Sequence, residues 1–189
     1  WSQSQREANP LTGLPGNVSI ERELSQRIDS KQPFAFLYID IDNFKAFNDY
    51  YGYAKGDEAI KQTARLLTSA VADRGNGQDF VGHIGGDDFV VITSSDRSDT
   101  IAQELVELFE KSSSNLFEDE DLERGFLKIR RRTGEVMKVK SLGITVAIVT
   151  NDRGAISHIG RVADIASELK RYGKGMNGSV VVRERRTAG

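Results

Sequence analysis

Cysteine is absent from this sequence, and that one absence removes disulfide stapling, thiolate metal sites and thiol catalysis together. A reducing, cytoplasmic setting fits a chain without thiols. No apolar run approaches the roughly 20 residues a membrane-spanning helix needs, and the opening Trp1-Ser2-Gln3-Ser4-Gln5-Arg6 lacks the apolar core of a secretory signal. A soluble domain without direct membrane contact is therefore expected. Neither sign of charge dominates: 26 basic and 28 acidic residues leave a formal net charge of -2. There is no broad cationic field to hold a nucleic-acid backbone, so nucleic acid is not an expected partner. Any anionic ligand must be met by a local arrangement of donors and cations.

What is there suits one globular unit. The 189 residues, 38% hydrophobic and 29% charged, are enough to bury a single substantial core. The chain starts without methionine in a polar stretch that runs into the turn-rich Asn9-Pro10-Leu11-Thr12-Gly13-Leu14-Pro15-Gly16. It reads as a piece of a longer protein, with residues 1–8 as a linker, 9–185 as the domain and 186–189 as a tail; a sensory or receiver domain is expected upstream.

Periodicity supplies the elements. Ile20, Leu24 and Ile28 recur every four residues on a helix from Asn17 to about Ser30. Pro33 breaks it, and Phe34 to Ile39 is a continuously apolar run ending at Asp40, the mark of a central strand buried on both faces. Asp42-Asn43 are expected to cap a short helix that Gly52 closes. Asp57 is expected to cap the next, whose stripe is Ile60, Ala64, Leu67 and Val71. A loop from Asp73 to Gln78 follows. Phe80–Ile84 and Phe89–Thr93 then form a hairpin around Gly85-Gly86-Asp87-Asp88. Ile101, Leu105 and Leu108 mark a further helix, and Ser112 to Arg124 reads as an acidic excursion too polar for the core. A second hairpin is expected from Phe126–Arg132 and Val136–Thr150, then a helix carrying Ile165 and Leu169, then a closing strand from Ser179 to Val182. The order β-α-α-β-β-α-β-β-α-β predicts an α+β fold, a mainly antiparallel sheet flanked by helices.

Chemistry concentrates at two strand ends. Asp40 terminates an apolar strand, where a lone carboxylate is costly without a cation or donor. Asp87 and Asp88 occupy a glycine-bearing turn that can lie beside it, and carboxylates converging from adjacent strands make a hard-oxygen site suited to Mg²⁺ or Mn²⁺ with substrate phosphates. Gly85 and Gly86 would let a ligand approach the backbone. The free amides of Asn43-Phe44-Lys45, at the start of a helix, suit phosphate, and Lys45 adds charge. Asn48 and Asp57 carry the donor and acceptor groups needed to read a guanine edge. Lys170 and Lys174, one helical turn apart, can hold phosphates from one face. Each also has an ordinary use taken singly: Asp40 as a turn or cap residue, Gly-Asp as a hairpin turn, Asn48 as a solvated helix position, Asp57 as an N-cap, the lysines as solvated surface.

In order along the chain, Asn9-Pro10-Leu11-Thr12-Gly13-Leu14-Pro15, Asp40-Ile41-Asp42-Asn43-Phe44-Lys45, Asn48-Asp49, Tyr51-Gly52, Gly56-Asp57-Glu58 and Gly85-Gly86-Asp87-Asp88-Phe89 resemble the motifs of the GGDEF family of bacterial diguanylate cyclases over residues 9 to 183. The resemblance implies a sheet-and-helix fold related to nucleotide cyclases, with a ferredoxin-like core. It implies condensation of two GTP molecules, one on each of two copies of the domain, into cyclic di-GMP with loss of pyrophosphate. It implies a catalytic cluster of Asp40, Asp87 and Asp88, with Mg²⁺ or Mn²⁺ held by Asp40, Asp87 and the carbonyl of Ile41. It implies guanine recognition by Asn48 and Asp57, and GTP contacts from Phe44, Lys45, Gly85, Gly86 and one or both of Lys170 and Lys174.

The chain departs from that pattern in several places. Asp88 stands where the signature has glutamate, and the carboxylate retracts by more than an ångström, roughly one methylene. Asn9 replaces aspartate in the first motif, and Gly16-Asn17 replaces Asn-Arg. Of the Arg-x-x-Asp product-inhibition motif, Asp79 is present but Asn76 occupies the arginine position, so no ordinary inhibitory site is expected; Arg74 is the nearest substitute. His83 reads as a strand residue. Two readings follow: an active cyclase, or a GTP- or cyclic di-GMP-binding receptor or dimerisation module without turnover. A cyclase for another nucleotide fits Asn48 and Asp57 less well.

Overall fold

The computed structural model describes residues 7–125, 127–130, 133–139, 142–174 and 178–184. The continuously apolar run becomes β1 (Ala35–Ile41), the middle strand of a five-stranded sheet. It pairs antiparallel with β3 (Asp88–Thr93) on one side and with β6 (Ile144–Thr150) on the other. β2 (Phe80–Gly85) lies outside β3 as the first arm of the hairpin, and β7 (Val180–Arg183) runs parallel to β6 at the far edge. A parallel pair needs a crossover, which α6 (Ile159–Lys174) supplies.

Alternation along β1 divides the core into two layers. Ala35, Leu37, Ile39 and Ile41 pack with α2 (Phe44–Tyr51), α3 (Tyr53–Arg74) and α4 (Ser98–Ser112). Phe36 and Tyr38 face the other way, toward α1 (Asn17–Ser30) and α6. Burying each large aliphatic side chain is worth about 1.5–3 kcal/mol, so helices cover both faces, while pairing with β3 and β6 leaves β1 no free edge. Asp40, next in the alternation after Tyr38, therefore points toward α6.

Two of the turns at positive φ lie beside the candidate site residues. Gly52, at φ 89, ends α2 and starts α3, and its N–H donates to the Asn48 carbonyl at 2.8 Å. Gly86, at φ 53, sits with Asp87 in a two-residue turn, because Gly85 already pairs with Asp88 in the ladder. The signature turn is thus tighter than the four residues expected.

Several local expectations are corrected. Asn43 is the N-cap of α2 but lies in the left-handed region and makes no capping bond; Asp42 accepts instead from Thr145 Oγ1 at 2.8 Å. Asp57 caps nothing, because α3 starts four residues earlier at Tyr53 and the carboxylate projects from its exposed side. α3 also runs to Arg74, into the stretch expected as a loop. The second hairpin is shorter than expected: β4 (Leu127–Arg130) and β5 (Val136–Val139) form a separate two-stranded sheet, while β6 belongs to the central one. Residues 126, 131–132 and 140–141 of that stretch lie outside the described residues.

The acidic excursion is the largest correction. Leu116 and Phe117 are buried in the core, and α5 (Asp119–Arg124) follows. Phe117 sets its ring edge against Phe47 at 5.7 Å. Asp121, 6% exposed, accepts hydrogen bonds from the hydroxyls of Tyr50 (2.8 Å) and Tyr51 and pairs with Arg124. Composition concealed this because Leu116, Phe117 and Asp121 turn inward from a segment whose other acids stay exposed. Burial alone would raise the pKa of Asp121, but the tyrosine bonds and the guanidinium hold it below the usual range. Its contribution is present above the unfolded pKa of about 3.9 and is lost as pH falls through the folded value. Asp121→Ala should cost about 1–3 kcal/mol at pH 7 by urea denaturation, with the difference shrinking as the pH falls below that range. No loss at pH 7 would show that the tyrosines do not depend on it.

Candidate functional site

The sheet brings together what the chain separates. Asp40 and Asp88 are direct cross-strand partners in the β1–β3 register, and Asp87 sits in the adjoining turn. One oxygen from each of Asp40, Asp87 and Asp88 lies within 4.8 Å of the others. Asp40 is 4% exposed, and the other two are half-buried.

Cations come from α6. Lys170 Nζ lies 3.0 Å from Asp40 Oδ2 and 3.4 Å from Asp88 Oδ1. Lys174 Nζ lies 3.0 Å from Asp40 Oδ2, 2.6 Å from Asp42 Oδ1 and 3.4 Å from the Ile41 carbonyl oxygen. The match is one of spacing: a helical turn of four residues rises about 6 Å and two strand residues span about 6.6 Å, so lysines at i, i+4 meet acids at i, i+2. Gly173 permits the approach, since a Cβ there would lie 2.6 Å from Thr145 Cγ2. Both lysines reach the carboxylate cluster.

The carboxyls are unequal. Burial pushes Asp40 upward, but Asp87, which donates to it when protonated, and the two ammonium groups hold it low. Asp87 is pushed up to about 7 by burial, by its hydrogen bond to Asp40 and by the charges of Asp40 and Asp88. Burial and the Asp40 charge also raise Asp88, against Lys170. Asp40 Oδ1 is buried and has no hydrogen-bond partner. An orphaned carboxylate oxygen inside a ring of carboxylates suits a hard divalent cation, so these residues are able to hold a metal ion.

A second locus lies at the α2–α3 junction. The first α2 hydrogen bond runs from Phe47 N–H to the Asn43 carbonyl at 3.0 Å. The amides of Phe44, Lys45 and Ala46 therefore have no partner within the helix, and Lys45 is exposed beside them. Phe44 packs at the margin of the core. Asn48 lies against the backbone of Gly56, where a Cβ would fall 1.8 Å from its Oδ1, and that Oδ1 is buried without a partner. Gly56 thus leaves room for the Asn48 amide against the α3 backbone, one residue before Asp57, and the Asn48 Oδ1 is an unmet acceptor.

Elsewhere, Asp79 is occupied in its own loop, accepting from Asn76 N–H at 2.9 Å and from Thr93 Oγ1. Arg74 turns to Asp73 and Glu104. His83 lies in β2, stacked on Phe89 at 4.4 Å. Its Nε2 is 2.9 Å from the Gly86 carbonyl, which can only accept, so Nε2 carries the proton and Nδ1 accepts from Thr12 Oγ1 at 3.0 Å. Sequence reasoning missed this bridge between the first motif and the signature turn. It also missed Tyr38, whose ring lies 5.0 Å from Lys170 Nζ and whose hydroxyl is bonded to Asp88, with a pKa pushed up to about 12 by burial and that carboxylate. Its position two residues before Asp40 was the available signal.

The family model for "Diguanylate cyclase, GGDEF domain" matches residues 7–168. The chain belongs to the GGDEF domain family. Among solved structures, the GGDEF domain of DgcB from Caulobacter crescentus in complex with c-di-GMP superposes with a TM-score of 0.63 at 20% identity, covering 97% of this chain and 98% of that one. Diguanylate cyclase SiaD in complex with its activator SiaC, from Pseudomonas aeruginosa, gives 0.69 at 18% identity over 96% of this chain and 63% of that one. These likenesses establish the fold. In sequence, a diguanylate cyclase of Vibrio cholerae is 37% identical over 70 residues, 37% of this chain and 21% of that protein. The bifunctional diguanylate cyclase/cyclic di-GMP phosphodiesterase MucR of P. aeruginosa is 35% identical over 103 residues, 51% of this chain and 14% of that protein. The chain thus spans a small part of the curated relatives it matches. Among the described residues no helix is long and apolar enough to cross a membrane.

The raised Asp87 has a signed consequence. Its stabilisation of the metal-free GGDEF domain is complete below the unfolded pKa of about 3.9 and is lost as pH rises through about 7. His83, held neutral by burial, acts in the opposite sense, so the comparison is with a variant that keeps it. Between pH 5 and 8 the melting temperature of the wild type should fall relative to that of Asp87→Asn. Parallel curves would rule out an elevated Asp87.

Proposed function

We propose that this domain is a diguanylate cyclase, joining two GTP molecules held by two facing copies into cyclic di-GMP and two pyrophosphates. The observation that carries the reading is the convergence of Asp40, Asp87 and Asp88 around an unpartnered Asp40 oxygen, with Lys170 and Lys174 beside them. Asp40, Asp87 and the Ile41 carbonyl would hold Mg²⁺ or Mn²⁺, which supplies charge stabilisation at the α-phosphate. Asn48 and Asp57 read the guanine edge, the orphaned Asn48 Oδ1 accepting from a ring or amino N–H. The free amides at Phe44 and Lys45, the Lys45 ammonium, the Gly85-Gly86 backbone and the two α6 lysines hold the triphosphate.

The 3′-hydroxyl of one nucleotide attacks the α-phosphorus of the other; a P–O bond forms, the bond to pyrophosphate breaks, and the exchange repeats in the opposite sense. Asp88, its pKa raised by burial and Asp40, is the carboxylate suited to accept the hydroxyl proton. Most of the acceleration is positioning and charge stabilisation. The small share of the curated relatives that the chain matches supports a domain working within a longer protein, where a sensory or receiver domain would set how often two copies meet.

A second reading rests on one residue. Asp88 in place of glutamate withdraws a carboxylate from a site where ångströms matter, which favours a module that binds GTP or cyclic di-GMP as a receptor or dimerisation domain. Incubating the concentrated domain with GTP and Mg²⁺ or Mn²⁺ decides between them: cyclic di-GMP detected by mass, and abolished in Asp40→Ala, supports the cyclase. GTP binding by calorimetry without product supports the receptor. Asn48→Ala should weaken GTP roughly tenfold while leaving ATP little changed; equal losses would sink the guanine assignment.

A further inference from the structure

The two α6 lysines sit where a cation belongs. Lys174 Nζ contacts Asp40 Oδ2 and, at 3.4 Å, the Ile41 carbonyl oxygen, two of the groups that would hold a metal. Lys170 joins Asp40 to Asp88 across the β1–β3 pair. Building on the cyclase reading, we propose that Lys170 and Lys174 are placeholder cations, which close the carboxylate cluster to a free divalent ion and yield it to the preformed metal–nucleoside triphosphate complex.

The electrostatics favour this exchange over simple metal uptake. Both ammonium groups are partly buried, with side-chain exposures of 27% and 33%, and face a carboxylate exposed by only 6%, so solvent screens them less than surface pairs. A bare divalent ion arriving at Asp40 would have to displace both and would leave two positive charges close to its own. A triphosphate complex brings oxygens to which the same ammonium groups can turn as the metal takes the carboxylates, and charge is conserved at every contact. Lysine suits such a swing, as a compact charge on a flexible four-carbon stem. The Tyr38 ring, 5.0 Å from Lys170 Nζ, supplies a cation-stabilising face on that side.

The placeholder is incomplete, which makes it exchangeable. Both lysines serve Asp40 Oδ2, while Oδ1 stays buried without a partner. A ligand that satisfies both oxygens therefore has an advantage over the resting pairing. It follows that removing the lysines should act with opposite sign on the two ligands, strengthening the binding of metal alone and weakening that of the nucleotide complex. A pair of lysines that served only as phosphate contacts would change the second and leave the first alone.

The test is Mn²⁺ binding to the nucleotide-free domain, read by electron paramagnetic resonance and calorimetry, which needs no turnover. The double variant Lys170→Met/Lys174→Met should bind Mn²⁺ alone at least tenfold more tightly than the wild type, and Mn²⁺·GTP at least tenfold more weakly. Should the double variant fail to fold, Lys174→Met, which keeps Lys170 on Asp40, should tighten Mn²⁺ about threefold. Unchanged or weaker Mn²⁺ binding in a folded variant overturns the proposal. So does Mn²⁺ binding that survives Asp40→Asn in the lysine variants, because the ion is then not at the cluster. Absence of cyclic di-GMP from the wild type would sink the cyclase reading, while the Mn²⁺ affinities would still decide the exchange.

Discussion

A carboxylate at the end of a strand buried on both faces is the constraint around which this molecule is arranged. Asp40 is 4% exposed, and an isolated charge there would be neutralised or would cost several kcal/mol. It stays ionised because α6 crosses the sheet with two lysines at the spacing of two strand residues. The crossover that makes β7 parallel to β6 is therefore also the element that supplies the countercharge. Gly173, the close approach to Thr145, and the alternation that turns Tyr38 and Asp40 toward α6 all serve the same contact.

The proposed nucleotide end is held by a different device. α2 is only eight residues long and carries Phe44, Lys45 and Asn48; a helix that short has little stability of its own. It is fixed from below by Phe47 in the core and from the side by Asp121, which ties the hydroxyls of Tyr50 and Tyr51 to α5. The acidic segment that looks like solvated loop is thus part of the frame for the proposed guanine pocket. His83 does comparable work at the signature turn, joining Gly86 to Thr12 of the first motif through a neutral, buried ring. Such a bridge makes the geometry of the turn depend on the chain segment nearest to anything upstream.

Much of this was legible residue by residue. The apolar run before Asp40, the helical stripes of α1, α3 and α6, the hairpin around the glycines and the order of the motifs all follow from local periodicity and turn chemistry. What could not be read was whatever depends on a partner distant in the chain. Asp57 looks like a cap because acids favour that position, but Gly52 had already turned the chain into α3. Residues 112–124 look too polar for a core because their partners, Tyr50 and Tyr51, lie some 70 positions away.

The sequence by itself determined which groups this protein possesses, and their order: the family motifs, aspartate rather than glutamate at 88, asparagine at 76, two lysines on the last helix. It also determined the elements that carry them, because helix and strand periods are local properties of the chain. Only the tertiary structure decided which of those groups meet. The β1–β3 register set Asp40 opposite Asp88, and the packing of α6 laid both lysines on the carboxylates and left one oxygen unmet. Charge pairing falls off over ångströms, whereas residues 40, 88 and 170 are separated by long stretches of chain, so the fold alone could bring their energies into play.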